Sequence, residues 1–155
     1  MSTARELMSQ EPIFCTPETA LITVAKMMVE FDCGEIPVVE TLQNPKPVGV
    51  VTDRDICCRA VAQGKNPKDL TAEDCMSMPC VTVGENDSIE TICEVMEENK
   101  IRRVVVVTQA GTICGIISQA DIARVDLDKT SDLVAELSEA SPTPSDVENV
   151  ASLPS

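Results

Sequence analysis

The chain has 155 residues, enough for one compact body made of two small units that share a core. Its 26 acidic residues outnumber 12 basic ones, and the formal net charge of −14 opposes the binding of a nucleic-acid backbone. Two phenylalanines, without any Tyr or Trp, give no platform on which bases could stack. No apolar run approaches the roughly 20 residues that a bilayer span requires. The sequence therefore predicts a protein that binds neither nucleic acid nor membrane.

The amino-terminal residues lack the apolar stretch of a signal peptide, which predicts a cytoplasmic protein. Eight cysteines are present, and in a reducing compartment such residues are usually small buried hydrophobes. Cys57 and Cys58 are adjacent on a predicted helix, where we expect them to be buried. The chain has no Cys-x-x-Cys spacing and no histidine, so we predict no metal site.

The main feature of the sequence is an internal repeat. Residues 49–55 return in similar form at 115–121, and Met8 and Met28 correspond to Met76 and Met96 at an offset of 68. The offset falls to 66 at the glycine motif, because one turn is two residues longer in the first copy. Two tandem units of about sixty residues thus organise the chain.

Each unit is predicted to begin with a short helical turn that ends at Met8 or Met76, and a capping box over residues 71–74 opens the second one. An extended, proline-led segment follows at 12–16 and 79–83. Next comes an amphipathic helix with apolar residues at positions i, i+3, i+4 and i+7. These residues are Leu21, Val24, Ala25 and Met28 in the first copy, and Ile89, Ile92, Cys93 and Met96 in the second.

Short β-branched runs then predict a hairpin in each copy, with strands at 36–39 and 48–51, and at 104–107 and 113–117. A further helix begins at Asp53 or Gln119. Each unit is therefore a β-α-β-β-α half-domain of an α/β (α+β) fold, with helices covering a small sheet. We place the first half-domain at residues 4–64, a linker at 65–71 and the second half-domain at 72–126. The acidic tail at 127–155 is predicted to stay disordered, apart from a short amphipathic turn at 131–138.

The repeated motif is Gly-h-h-Thr/Ser-x-x-Asp, where h is apolar, and it has two compatible interpretations. Thr52 with Asp55, and Ser118 with Asp121, have the spacing of a helix-capping box. The same turn exposes backbone N–H groups that could meet an anion. An ionised Asp can also accept hydrogen bonds from both hydroxyls of a ribose, and the glycine permits close approach of a base or sugar.

The paired units and their motifs, in order and in duplicate, resemble a tandem cystathionine-β-synthase (CBS) domain pair, or Bateman module. The resemblance covers about residues 5–125. It implies two half-domains packed through their sheets with pseudo-twofold symmetry, and clefts for adenosine-bearing ligands. AMP, ADP or ATP leads the expected ligands, followed by NAD or S-adenosylmethionine, and no cofactor is required. It also implies a homodimer.

Position by position, the resemblance implies a main cleft in the second copy and a weaker one in the first. The main cleft would comprise Val81, Thr82, Ile101, Arg102, Arg103, Val104, Gly115, Ser118 and Asp121. The second would comprise Ile13, Phe14, Cys33, Gly34, Ile36, Gly49, Thr52, Arg54 and Asp55. The ranking follows from charge, because Arg102 and Arg103 can hold phosphate oxygens. Glu35 stands at the corresponding place in the first copy and would repel a polyphosphate.

Three functions compete at this point. The leading one is a stand-alone, nucleotide-sensing regulatory module that acts on its own oligomer or on a separate protein target. The alternative is a ligand-free dimerisation scaffold in which the motif only caps a helix. Catalysis is disfavoured, because the chain has no Walker loop, no histidine base and no carboxylate cluster with metal-ligand spacing.

Overall fold

The computed structural model describes residues 2–125 and residue 135, and its elements follow the repeat. The first unit contains α1 (Ala4–Leu7), β1 (Ser9–Gln10), α2 (Leu21–Glu30), β2 (Glu35–Val39), β3 (Pro47–Thr52) and α3 (Asp53–Ile56). Helix α3 continues into a π-helical turn, Cys57–Val61, and a 3-10 turn at Pro67–Asp69 leads onward. The second unit contains α4 (Ala72–Cys75), β4 (Thr82–Gly84), α5 (Ile89–Asn99), β5 (Arg103–Val107), β6 (Ile113–Ser118) and α6 (Gln119–Ala123).

The two hairpins are antiparallel and keep the same register. Glu35 lies opposite Thr52 in the first hairpin, and Arg103 lies opposite Ser118 in the second. In the second unit the sheet has the order β1-β6-β5-β4, with β4 parallel to β5. The first unit has the two-stranded sheet β2-β3. Single bridges, such as Val50 to Ser77, extend it at the positions where the second unit has paired strands.

The leading segment of each unit packs on the other unit. The backbone N–H of Ala4 donates to the carbonyl of Asp87 at 2.9 Å, and Ala72 makes the equivalent bond to Thr19 at 2.8 Å. Strand β1 also joins β6 of the second unit. Helix α1 thus contributes to the second core, and α4 to the first. This exchange is not visible in the order of the elements along the sequence.

The predicted amphipathic helices have their apolar faces inward. The buried residues are Leu21, Val24 and Met28 on α2, and Ile89, Ile92, Cys93 and Met96 on α5, while Ala25 is half-buried. A third cluster joins the two units, with Val39 from the first packed against Val105 and Ile113 from the second. The predicted fold class, two α/β half-domains packed through their sheets, is confirmed.

The expectation that Cys57 and Cys58 are buried is wrong, because both are exposed. Only Ala60 of the π-helical turn is buried, so the turn presents the two thiols to solvent. None of the eight cysteines forms a disulfide in the described residues. Across the described residues, no helix has the length and apolar character that a membrane span needs. The predicted tail, including the turn at 131–138, lies outside the described residues apart from residue 135.

Candidate functional site

Both repeated motifs form the helix caps that their spacing predicts. The N–H of Asp55 donates to the Thr52 hydroxyl at 3.0 Å, and a carboxylate oxygen of Asp55 accepts from the Thr52 N–H at 2.9 Å. In the second unit, the Asp121 N–H donates to the Ser118 hydroxyl at 3.3 Å, and the return bond measures 2.8 Å. Each motif therefore has a structural role in starting α3 or α6.

The leading segments that pack on the opposite unit, residues 4–12 and 72–77, are here called the crossing segments. The carboxylate of Asp55 is already engaged by the crossing segment of the second unit. Its Oδ1 accepts a hydrogen bond from the Ser77 hydroxyl at 3.1 Å and lies 4.0 Å from the Arg59 guanidinium. Arg59 in turn donates to the carbonyls of Cys75 and Met76, at 3.1 and 2.6 Å. The first motif thus holds α4 in place.

The second motif borders an open cleft of about 270 Å³, slightly below the roughly 300–1,000 Å³ typical of small-molecule pockets. Asp121 contributes Oδ1, which faces the exposed Arg124 side chain at 3.6 Å. The cleft draws its walls from both units and from the segment between β1 and α2. Its lining residues are Ser9, Gln10, Glu11, Pro12, Ile13, Phe31, Cys33, Glu35, Arg103, Ile116, Ser118 and Asp121.

The cleft brings together residues that the sequence assigned to different clefts. Arg103, Ser118 and Asp121 come from the predicted main cleft, and Ile13 and Cys33 come from the predicted second one. Sequence reasoning missed the crossing residues 9–12, together with Phe31 and Ile116. Of these residues, only Ile116 could have been found from the sequence. Side chains alternate between the two faces of a strand, so Ile116 of β6 lies on the same face as Ser118.

Most other predicted site residues lie away from this cleft. The apolar ones pack in the hydrophobic clusters: Val81, Ile101 and Val104 in the second unit, Ile36 in the first, and Phe14 between the units. Three have their side chains exposed at the surface: Thr82, Arg102 and Arg54. Gly34 lies against Asp53, whose N–H donates to the Gly34 carbonyl at 3.0 Å. Thr52 and Asp55 serve the cap and the crossing segment.

The two motif glycines make room for the crossing segments. A Cβ added at Gly49 would lie 2.6 Å from the Ser77 carbonyl oxygen, and one at Gly115 would lie 2.4 Å from the Met8 sulfur. The space beside each glycine is therefore occupied by Ser77 or Met8 of a crossing segment. The sequence predicted that these glycines let a base or sugar approach, but here they let another part of the protein approach.

Two charged residues of the cleft, Glu35 and Arg103, occupy the same place in the repeat. Burial raises the pKa of Glu35 to about 7, the nearby Arg103 guanidinium opposes this shift, and Asp55 reinforces it. Burial also raises the pKa of Cys80 to about 12 and that of Cys15 to about 11. These two thiols are therefore protonated at neutral pH and are poor nucleophiles.

Within residues 2–125, no group of three or more Cys, Asp or Glu side chains is arranged to hold a metal ion.

Comparison with known proteins gives a consistent family. The family model of the CBS domain matches the chain twice, over residues 4–60 and 72–128. Hypoxic response protein 1 of Mycobacterium tuberculosis is 34% identical over 124 residues, which cover 80% of this chain and 85% of that protein. Uncharacterized protein MK0525 of Methanopyrus kandleri is 31% identical over 78% of this chain. The matched region spans 61% of the length of MK0525.

Two solved structures share the fold. The crystal structure of Hypoxic Response Protein I, which has two coordinated zinc ions, superposes with a TM-score of 0.73 at 32% identity. It covers 81% of this chain and 99% of that one. The CBS domain pair of protein MJ0100, in complex with 5′-methylthioadenosine and S-adenosyl-L-methionine, gives a TM-score of 0.70 at 26% identity. The match covers 81% of this chain and 95% of that pair.

Proposed function

The chain belongs to the CBS-domain family, and from this premise we propose that it is a regulatory module that binds an adenosine-bearing small molecule in the cleft beside Asp121. The observation that carries the proposal is the contrast between the two motif carboxylates. Asp55 is held by Ser77, whereas Asp121 borders an open cleft.

The cleft has the chemistry that an adenosine needs. The two adjacent hydroxyls of a ribose are hydrogen-bond donors, and the two carboxylate oxygens of Asp121 can accept from them. Ile13, Cys33 and Ile116 offer an apolar surface to the purine, and half-exposed Phe31 adds a ring face at the rim. A CBS pair with the same fold, that of MJ0100, carries 5′-methylthioadenosine and S-adenosylmethionine.

The position of the cleft suggests how binding would act as a signal. Ile13 and Cys33 belong to the first unit, whereas Ser118 and Asp121 belong to the second, so a bound ligand would touch both. A ligand that favours one packing of the units shifts the population toward it and changes affinity for a partner. The regulated target in this proposal is a separate protein or a second copy of the chain. No catalytic step is assigned.

We further propose a homodimer in the cytoplasm. Exposed apolar side chains lie on the first unit at Val29, Phe31 and Val61, with 85%, 51% and 61% of their surface exposed. A second copy of the chain would cover these side chains. The absence of a disulfide among the eight cysteines, all within the described residues, suits a reducing compartment.

A calorimetric titration with adenosine, AMP, ATP and S-adenosylmethionine tests the proposal. Asp121→Asn keeps an acceptor for the Ser118 N–H but removes the charge, and we expect it to weaken binding at least tenfold. Asp55→Asn is the matched control in the first unit and should leave affinity unchanged. Loss of binding in Asp55→Asn alone would place the ligand in the first unit instead.

A ligand-free scaffold remains the second candidate, because both capping boxes are fully formed and give the motif a structural purpose by themselves. A scaffold would bind none of these ligands. Asp121→Asn would then change only the stability of the protein, by about the 1 kcal/mol of a helix cap.

A further inference from the structure

The acids of the cleft outnumber its bases. Among the lining residues, Glu11, Glu35 and Asp121 are acidic and Arg103 is the one base. The chain as a whole has a formal charge of −14, in which these residues are included. Both the cleft and the chain that carries it are therefore net negative, and a ligand with several negative charges would meet repulsion.

Glu35 is the acid best placed to repel a phosphate. It opens β2 at the position that Arg103 occupies in β5, and both line the same cleft. The Arg103 guanidinium acts electrostatically on Glu35. Its positive charge is therefore partly balanced by the protein before any ligand arrives. Interactions between part-buried charges are screened less than those on the surface, which makes this balance effective.

We propose that this cleft selects neutral or cationic adenosine derivatives over adenine nucleotides with a polyphosphate chain, and that Glu35 is the residue that determines this specificity. The inference rests on the proposed function, since it concerns the ligand of the same site. It reverses the order expected from the sequence, in which the nucleotides led. The reason is that Glu35, assigned to the other cleft, shares this one with Arg103.

Adenosine, AMP, ADP and ATP share the same nucleoside, and their negative charge rises with each added phosphate. We would titrate this series, with S-adenosylmethionine and 5′-methylthioadenosine, into the full chain at pH 8 and fixed low salt. At this pH Glu35, whose pKa is raised to about 7, is mostly ionised, and low salt limits the screening of such charges. The wild type should bind adenosine at least tenfold more tightly than ATP. Glu35→Gln should reduce the ratio of adenosine affinity to ATP affinity at least fivefold. Glu94→Gln removes one exposed acid outside the cleft and should leave the ratio unchanged.

Arg103→Gln provides a second variant and should increase the adenosine-to-ATP ratio, since it removes the base of the cleft. If ATP binds the wild type more tightly than adenosine, and Asp121→Asn abolishes that binding, the specificity inference is overturned and the proposed function stands. If Glu35→Gln leaves the ratio of adenosine affinity to ATP affinity unchanged, Glu35 does not determine the selectivity. The absence of binding by all six ligands would overturn the proposed function and this inference together.

Discussion

The two halves of this molecule carry the same motif with the same cap geometry, yet they use its carboxylate differently. Asp55 binds the Ser77 hydroxyl of the crossing segment, whereas Asp121 lies at the edge of a cleft. Serine stands at the equivalent crossing position in both halves, since Ser9 pairs with β6 as Ser77 pairs with Val50. The motif alone therefore does not tell whether its carboxylate binds a neighbouring segment or borders a cleft. That depends on how distant parts of the chain pack against it.

The largest loss of stability should come from truncating equivalent methionines in the two cores. Met96 is fully buried, whereas Met28 is 9% exposed at the matching position. Met96→Ala should lower the free energy of unfolding by about 2–5 kcal/mol, the usual cost of a buried methionine truncation. Met28→Ala should cost less, because its site is closer to solvent. Urea unfolding of both variants measures the difference, and equal losses would contradict it.

A pH dependence should follow from Glu35. Its pKa is raised from 4.5 to about 7 in the folded protein, chiefly by burial. Between these pH values Glu35 is ionised in the unfolded chain but still protonated in the folded protein. The free energy of unfolding therefore falls as pH rises from 4.5 to about 7, and the loss is constant above that.

Glu35→Gln should therefore match the wild type near pH 4.5 and be more stable at pH 8, by about 1–3 kcal/mol. Urea unfolding at both pH values is the measurement. Glu94→Gln, which changes an exposed acid, should show no such pH-dependent gain. A stabilisation by Glu35→Gln that is equal at both pH values would show that burial does not act on its charge.

The motif glycines offer a matched comparison of the two crossing segments. Gly49→Ala places a Cβ against the Ser77 backbone carbonyl, which cannot turn aside. We expect a loss of about 1–3 kcal/mol, as for other overpacked sites. Gly115→Ala meets the side chain of Met8, two of whose three contacting atoms lie beyond its Cβ.

Met8→Ala should therefore partly rescue Gly115→Ala, whereas no side-chain truncation at Ser77 should rescue Gly49→Ala. Thermal unfolding of the single and double variants measures this coupling. Strict additivity in the Met8 and Gly115 pair would show that the two residues do not contact.

The smallest loss of stability should come from removing the capping hydroxyl of the motif, and it should be similar in both halves. Thr52→Ala and Ser118→Ala each remove a hydroxyl that accepts the N–H of the motif aspartate. Each should cost about 1 kcal/mol in the free energy of unfolding. A loss several times larger in one half would mean that its hydroxyl does more than cap a helix.

Elements whose cause is local could be predicted from the sequence. The apolar spacing of Leu21, Val24 and Met28 places α2, and the hydroxyl-to-acid spacing predicts both caps. Local spacing did not predict the exposure of Cys57 and Cys58, because two orientations of a short helix fit the same run of residues. The candidate site was only partly predicted: Ser118, Asp121 and Arg103 line the cleft, but Ile13 and Cys33 reach it from the other unit.

The sequence by itself determined the repeat, the order of its elements and the family, because these depend on residue types at short, regular spacings. Only the tertiary structure decided that the leading segments exchange between units, that the Ser77 hydroxyl donates to Asp55, and that Glu35 and Arg103 line the same cleft. Each of these depends on which distant surfaces pack together. That choice is made by the burial of whole faces, so no single motif records it.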